Sequence, residues 1–420
     1  MSANFSSTIS TKNIVVQKFG GTSVANAERI MHVAQRIVNT YRTGKQVVVV
    51  VSAQGGVTDA LLEKAREINP IASKRELDML LCTGEQQAVA LMAMAIHKLG
   101  EPAVSLNAVQ IGIQASSIHG SARIKKIQTE RILAELEKSN IVLVAGFQGV
   151  NHHNDLTTLG RGASDTTAVA LAAVLGAGVC EKYTDVDGIY TVDPRVVPTA
   201  KLIPSIGYDV MLEMASSGVK VVHDRAVEMA KKYSVNLLVR SSLTNAPGTW
   251  IKEDSGVEQL AVSGIAIDRN VGRVSIMGLL DRPGVAFNIF SLLAKARISV
   301  DIILQSVGHS STRDISFTIH SQDLHSAIEV LEANKEEIGF DMITTDEHLA
   351  KISIVGAGMA TNFGVASAMF EALYSCGVNI KMISTSEIKI AVLVDERQVT
   401  QAAKAVHDKF DDVFSGLERV

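Results

Sequence analysis

Seven residues near the N-terminus, Lys18-Phe19-Gly20-Gly21-Thr22-Ser23-Val24, have the types and spacing that a phosphate-binding turn needs. Glycine has no Cβ, so its backbone N–H groups can approach phosphate oxygens closely, and Lys18 adds a full positive charge. The spacing matches neither G-x-x-x-x-G-K-[ST] nor G-x-G-x-x-G, so neither a P-loop nor a dinucleotide fingerprint is indicated. The same residues also fit a plain tight turn from strand to helix. A second group lies in the run from Thr157 to Thr167, where Gly160-Arg161-Gly162 holds a guanidinium between two glycines. Such an arginine can fork a carboxylate or a phosphate, while Ser164 or Asp165 can cap the helix that follows. Thr83-x-x-Gln86 has capping-box spacing, which puts Glu85 in the first turn of a helix starting there. Glu85 then either complements the helix dipole or meets a substrate. The acidic run from Glu181 to Arg195 is too tightly spaced for an EF-hand and fits a strand leading to a nucleotide-bonding turn.

These groups need elements to hold them. Ile14-Val15-Val16 and the five valines of Val47–Val51 read as buried parallel strands, each opening into glycines. Ala103–Leu106 and Ile141–Val144 are two more short strands, and Asn151–Asp155 reads as a polar hairpin tip. Helical patterns follow the first glycine turn and span Arg75–Leu99, with a break at Gly84. Ala168–Leu175 and Met211–Tyr233, the latter broken at Gly218, are helical as well. The stretch Leu243–Gly264, with Asn245, Pro247, Gly248, Asp254, Ser255 and Gly256, has the composition of a linker.

Beyond it the chain repeats itself. Val274-Ser-Ile-Met-Gly278 aligns with Ile352-Ser-Ile-Val-Gly356, Pro283-Gly284-Val285-Ala286 with Phe363-Gly364-Val365-Ala366, and Val300-Asp301-Ile302 with Ile380-Lys381-Met382. Each copy runs strand, glycine turn, helix, strand, strand, helix, which is the ferredoxin-like βαββαβ pattern.

A chain of 420 residues has room for two or three domains, and 47% hydrophobic with 20% charged residues is an ordinary globular composition. A net charge of -4 gives no electrostatic ground for a nucleic-acid or membrane partner. Cys82, Cys180 and Cys376 lack C-x-x-C spacing, so neither a disulfide framework nor a zinc site is expected, and a reducing cytoplasm fits. Residues 1–12 read as a flexible tail without the character of a secretion signal. The longest apolar runs, Ala88–Ile96 and Ala168–Val179, fall short of the roughly 20 residues that span a bilayer.

Taken in order, Lys18–Val24, Thr83-Gly-Glu-Gln86, Leu159-Gly-Arg-Gly-Ala-Ser-Asp-Thr-Thr-Ala168, Tyr183-Thr-Asp-Val-Asp-Gly188 and Asp193-Pro-Arg195 resemble the aspartate kinase family. Asp314–Thr318 and Ser384–Ile390 look like that family's paired ACT regulatory domains. The resemblance implies an α/β fold: a mainly parallel-sheet αβα sandwich of the amino-acid-kinase type at 13–245, then a linker at 246–263. Two ferredoxin-like ACT regions at 264–342 and 343–420 would follow, interleaved through the strand near Ile265-Ala266-Ile267. No dinucleotide-binding unit is expected after them.

The activity implied is transfer of the γ-phosphoryl group of ATP, with Mg2+, to the β-carboxylate of L-aspartate. That would be the first step of lysine, threonine and methionine biosynthesis, under feedback by lysine, threonine or both. The resemblance gives Lys18, Gly20 and Gly21 the phosphates and makes Lys18, Arg161 and Asp165 the catalytic group. It gives Thr184, Asp185, Tyr190, Arg195 and Lys220 the nucleotide. Ser52, Thr58, Glu85, Phe147, Arg161 and Ser164 would shape the aspartate pocket, with no protein ligand for the metal. Asp281, Gly284, Val285, Ala286 and Asp301 match an effector site, and the ACT pair implies a homodimer or homotetramer. A carboxylate acceptor is ionised at pH 7 and needs no general base, which agrees with the absence of a His-Asp or Ser-His constellation. Three positions depart from the family: Ala163 where glycine is common, Asp224 where proline is usual, and Lys182 where an apolar residue is common. Two rival readings are another amino-acid kinase acting on glutamate or acetylglutamate, and a sensor that kept the ACT pair but lost turnover.

Overall fold

The computed structural model describes residues 13–253, 261–308, 312–359 and 362–415. The expected tail at 1–12 and the linker residues Asp254, Ser255 and Gly256 lie outside them. The described residues fall into two compact units, one within Met1–Ile189, Leu202–Ala215 and Lys220–Gly256, the other within Tyr190–Lys201, Ser216–Val219 and Val257–Val420.

The first unit opens with strand β1 (Ile14–Phe19), helix α1 (Ala27–Arg42), β2 (Gln46–Val51), α2 (Val57–Ile68) and α3 (Lys74–Lys98). It continues through β3 (Ala103–Leu106), β4 (Gln114–Ala115), β5 (Ile124–Lys126), α4 (Glu130–Glu137), β6 (Ile141–Ala145), β7 (Gln148–Val150) and β8 (Leu156–Thr158). It closes with α5 (Ser164–Leu175), β9 (Val179–Thr184), β10 (Ser205–Gly207), α6 (Tyr208–Ser216), α7 (Asp224–Tyr233), β11 (Leu237–Ser241) and β12 (Thr249–Lys252).

Eight of these strands form one sheet in the order β10-β12-β11-β9-β1-β2-β6-β3, parallel except where β12 meets β11. Side chains alternate across it. Phe19, Val47, Val49, Val51, Leu143 and Tyr183 face the layer of α1 and α3, while α5 covers the opposite face over β1, β2 and β9. β1 is flanked by β2 on one side and β9 on the other, so the chain reverses direction across the sheet there. In open parallel sheets the crevice at such a reversal, outside the carboxyl ends of the strands, is where ligands bind.

Two expectations are corrected here. Helix α3 runs unbroken through Gly84, so Thr83 starts no helix and Glu85 sits at mid-helix, away from any N-terminal dipole. Gly84 is there for packing, because a Cβ would lie 3.0 Å from Ala53 Cβ and 3.3 Å from Val57 Cγ1. The second correction concerns the linker, since Thr249–Lys252 is β12 and hydrogen-bonds with β11 and β10. By length and composition α3 would suffice to cross a membrane, yet half of its apolar window is buried, with Val89, Met92 and Ile96 in the core over the sheet.

The second unit contains β13 (Gly264–Leu280), α8 (Val285–Lys295), β14 (Val300–Val307), β15 (Thr312–Ile319), α9 (Leu324–Glu332), α10 (Lys335–Ile338) and β16 (Met342–Val355). After these come α11 (Val365–Ser375), β17 (Met382–Thr385), β18 (Lys389–Asp395), α12 (Val399–Lys409) and α13 (Asp411–Ser415). Its six strands are ordered β14-β15-β13-β16-β18-β17. The long strands β13 and β16 join the two repeats. β13 pairs with β16 along its length, from Ile265 with Ile354 to Met277 with Met342, and its later half also pairs with β15 on the other side, as Val274 with Phe317. Each ferredoxin-like half is thereby completed by a strand that continues into the other.

Phe317 is fully buried beside Phe290, with ring centroids 5.6 Å apart in an edge arrangement. Replacing it with alanine removes that packing and leaves a cavity, so Phe317→Ala is expected to cost about 3–5 kcal/mol of stability. Urea titration followed by circular dichroism measures this, and a loss below about 1 kcal/mol would contradict the packing described.

Candidate active site

The end of β1 carries Lys18 on the face that α5 covers. Strand β9 presents Lys182 beside it, since Lys18 and Lys182 are register partners across the parallel ladder. Two like charges so placed repel, and helix α5 supplies the answer in Asp165. Lys18 Nζ lies 2.7 Å from Asp165 Oδ1, and Lys182 Nζ bonds Asp165 Oδ2. The backbone N–H of His223 donates to the same Oδ2 at 3.2 Å. Burial alone would push the Asp165 carboxyl up, but the ammonium groups of Lys18 and Lys182 overcome it and hold the group well below the usual carboxylate range. Asp165 is therefore an anchor for lysines, and neither it nor Ser164 caps α5, whose N-cap residue is Ala163.

The glycine turn sits directly over this cluster. A Cβ at Gly20 would lie 3.6 Å from Lys18 Nζ, an ordinary contact, so the turn runs close beside the ammonium. The Gly20 N–H is directed at Tyr183 O at 3.4 Å. At Gly21 a Cβ would fall 2.6 Å from Ala53 O, and Gly55 N–H donates to Gly21 O, which knits this turn to the loop after β2. Ser52 is fixed in that second loop by its N–H donating to Phe19 O at 3.1 Å. Ser242, which no sequence pattern marked, ties the turn to β9: it accepts from Ser23 Oγ and bonds Thr184 O through its own N–H.

Glu85 enters the same region from the middle of α3. Its Oε1 accepts the Ala53 N–H at 3.1 Å, while Oε2 is buried and without a hydrogen-bond partner among the described residues. Burial pushes this carboxyl up to about 7, against the lowering effect of the Ala53 N–H. A buried carboxylate oxygen left open, 4% exposed as a residue, is a receptor for a cation or a proton. Phe147 holds a left-handed backbone, φ 68°, and donates its N–H to Thr167 Oγ1, so the loop after β6 leans on the start of α5. Ser164 is packed there against Gly146, where a Cβ would come within 2.8 Å.

The remaining expected residues are less converged. Arg161 is 74% exposed and pairs with Asp59 of α2 at 2.9 Å, one residue after Thr58. Thr184 Oγ1 donates to Asp185 Oδ1 at the end of β9, and Lys220 is exposed. Tyr190 and Arg195 belong to the segment that clusters with the second unit, where the Arg195 guanidinium forks Asp193 through Nε and Nη2 at 3.0 and 2.7 Å. Among the departures, Ala163 has φ -72° and needs no glycine. Sequence reasoning missed the part that Lys182 plays in this cluster. The available signal was a lysine inside a buried parallel strand, where an apolar residue belongs.

In the second unit, Asp281, Gly284, Val285 and Ala286 line one cavity of about 220 Å³ together with Leu280, Arg282, Gln305, Arg313 and Ile315. Gly284, at φ 96°, is the N-cap of α8 and turns the helix N-terminus, with its unpaired N–H groups, toward that space. Asp281 pairs with Arg313 at 2.8 Å. Asp301 stands apart from the cavity lining and bonds the buried Lys351.

The mainly parallel sheet with a lysine, a glycine turn and a buried aspartate at its reversal defines a phosphotransferase of the amino acid kinase class. Residues 13–241 match the amino acid kinase family, and 274–334 and 352–410 match an ACT domain. The aspartokinase of Geobacillus stearothermophilus is 50% identical over 398 residues, 94% of this chain and 97% of that relative. Two solved structures of Escherichia coli aspartokinase III are 26% identical and each cover 94% of this chain and 99% of theirs. The one in complex with aspartate and ADP, called the R-state, has a TM-score of 0.81, and the one with lysine and aspartate, called the T-state, 0.74. The chain belongs to the aspartokinase family within the amino acid kinases, as an ATP-dependent phosphotransferase with a carboxyl group as acceptor.

The buried Glu85 has a stability signature. Its folded pKa, about 7, exceeds the value near 4.5 of the free side chain, so the folded state binds more protons between those limits. Stability must then fall as pH rises from about 4.5 to 7, by on the order of 3 kcal/mol. Glu85→Gln keeps an acceptor for Ala53 and removes the titration. Chemical denaturation of ligand-free protein at pH 8 should find the variant more stable than wild type, with the gap closing by pH 4.5. A gap that does not vary with pH would contradict the assignment.

Proposed function

We propose that this enzyme transfers the γ-phosphoryl group of ATP to the β-carboxylate of L-aspartate, giving 4-phospho-L-aspartate. One observation carries the reading: a buried Lys18–Asp165 pair beside the glycine turn, joined through the Ala53 loop to a buried carboxylate, Glu85, whose second oxygen has no hydrogen-bond partner among the described residues. The aspartate and ADP held by the similar aspartokinase III support it.

Donor and acceptor are both anions, so the chemistry is positioning and charge stabilisation without a proton to remove. Lys18 Nζ meets the transferring phosphoryl oxygens, with N–H groups at the start of the Gly21–Val24 turn as further donors. Asp165 holds Lys18 in place. Glu85 Oε2 receives the substrate ammonium, which draws the carboxyl into its ionised form. Arg161 exchanges Asp59 for the α-carboxylate. Both partners of that ion pair are exposed, so it is worth no more than about 1 kcal/mol and yields readily. Ser52, Thr58, Phe147 and Ser164 close the pocket. Thr184, Asp185 and Lys220 serve the nucleotide, and Tyr190 and Arg195 are assigned to it on their motif alone. Among the described residues no His, Cys, Asp or Glu cluster has metal-holding geometry, and Asp165 is already committed to two lysines. Mg2+ is accordingly proposed to arrive on the phosphate oxygens of ATP, and no step is assigned to a protein-held metal.

The cavity at the N-terminus of α8 is proposed to hold an amino-acid effector, lysine or threonine, with its carboxylate on the helix N-terminus and its ammonium on Asp281. The lysine-bound aspartokinase III supports an amino acid in this role. We place the enzyme in the cytoplasm, as a homo-oligomer assembled through the ACT repeats and feeding the lysine, threonine and methionine routes.

ATP-dependent hydroxamate formation tests the reaction. Product with L-aspartate and none with L-glutamate is expected, and Lys18→Ala should lower turnover by about 10²–10³-fold. Aspartate-independent product, or near-wild-type turnover in Lys18→Ala, would overturn the mechanism. For regulation, lysine and threonine should each be tried alone and together. Inhibition present in wild type should be lost in Asp281→Ala at unchanged turnover, and inhibition persisting in that variant would remove the cavity from the account.

A further inference from the structure

We propose that Lys182 is a second cation of the phosphate-transfer centre, holding Asp165 so that the charge of Lys18 stays available to the incoming phosphates. This deepens the kinase reading above and rests on it.

The argument begins with charge. A single buried lysine and a single buried aspartate make a closed neutral pair, in which the carboxylate cancels the field that a phosphate should feel. Here one carboxylate is shared by two lysines on neighbouring strands, each nearly buried, with side-chain exposures of 9% for Lys18, 13% for Lys182 and 6% for Asp165. The trio carries one positive charge in surplus. Such a surplus is costly inside a protein unless an anion completes it, and the glycine turn after β1 runs beside this cluster, with Gly20 next to Lys18 Nζ.

The surroundings of Lys182 are sparsely charged. Lys18 faces it from β1 and Asp165 from α5, while β11 places the apolar Val239 in register with it. Cys180, two residues back on β9, has its thiol pushed up by burial and stays neutral. Helix α7 offers the N–H of His223 to Asp165, and the His223 ring itself pairs with Asp224. Burial, and after it the neighbouring Lys18, pull the Lys182 ammonium down to about 8 against the pull of Asp165. Lys182 is therefore charged at pH 7 and loses its proton as pH rises through about 8. Above that, the trio becomes a neutral pair.

The test compares wild type with Lys182→Met and Lys182→Arg. Methionine fills the same space without the charge, and arginine keeps a charge that does not titrate below pH 10. Equilibrium binding of ADP and steady-state kinetics for ATP and L-aspartate are measured from pH 6.5 to 9.5. Wild type should lose nucleotide affinity and kcat/KM for ATP above pH 8, by up to tenfold per unit. Lys182→Met should bind ADP about tenfold more weakly at pH 7, with the decline above pH 8 absent and KM for aspartate little changed. Lys182→Arg should recover most of that affinity and show no decline near pH 8. Unaltered ADP affinity and an unaltered alkaline decline in Lys182→Met would overturn the proposal. If that variant fails to fold, a decline near pH 8 that survives in Lys182→Arg overturns it equally. Failure of the kinase reading would show as missing aspartate turnover in wild type, whereas failure of this proposal shows as unchanged ADP binding in the variants.

Discussion

The carboxylate of Asp165 is the fixed point of the catalytic unit. It lies on the covered face of the sheet, yet it stays ionised because Lys18 and Lys182 offset its burial and the His223 N–H completes its bonding. Placing one carboxylate between two lysines needs a parallel ladder that puts both lysines on one face at one level, and a helix that starts above them. The order of β9, β1 and β2 provides the ladder, and α5 provides the helix. Without Asp165, two unscreened ammonium groups would face each other across neighbouring strands. In that sense the sheet order, the glycine turn and the small-residue helix serve a single electrostatic arrangement.

Glu85 is the complementary case. Where Lys18 and Lys182 leave a surplus cation, Glu85 leaves a surplus carboxylate, and each is buried at a cost that a ligand of opposite sign removes. The two do not neutralise each other, since Glu85 is held by the Ala53 N–H and the lysines by Asp165. Under the proposed reaction, charges kept apart in this way would discriminate: a phosphoryl acceptor bearing an ammonium would satisfy one, and a polyphosphate the other. Residues that break local rules of burial and pairing in this fashion are expected at functional sites and destabilise the ligand-free protein.

Much of this was legible in the chain. The buried valines of β2, the glycine turn after β1, the polar tip at Asn151–Asp155 and the doubled ferredoxin-like pattern all follow from hydrophobic period and turn residues. What failed did so for definable reasons. Gly84 looked like a break because helix propensity ignores tertiary contact, and here the missing side chain admits Ala53 and Val57. Thr249–Lys252 looked like linker because a four-residue strand that follows Asn, Pro and Gly has too few residues to show its period. Asp165 could be read as a cap or, from the resemblance, as a member of the catalytic group beside Lys18; the sequence shows its place on the helix but not that Lys182 shares it.

The regulatory unit solves a related problem by different means. Its cavity contains one acidic and two basic side chains, Asp281, Arg282 and Arg313, and Asp281 is already paired with Arg313. In the proposed role, an amino acid carries both charges at once and would replace that pair with little net change, using the α8 N-terminus for its carboxylate. A pair with Asp281 exposed and Arg313 half-buried is weak, which makes it a suitable element to exchange. Under the proposed function, substrate recognition would rest on buried charges whose pairing is incomplete, the lysine pair on one carboxylate and Glu85 Oε2, while effector binding would rest on the more accessible Asp281–Arg313 pair. The first arrangement favours tight orientation at the reacting atoms, the second a readily reversible response, and the chain keeps each in its own compact unit.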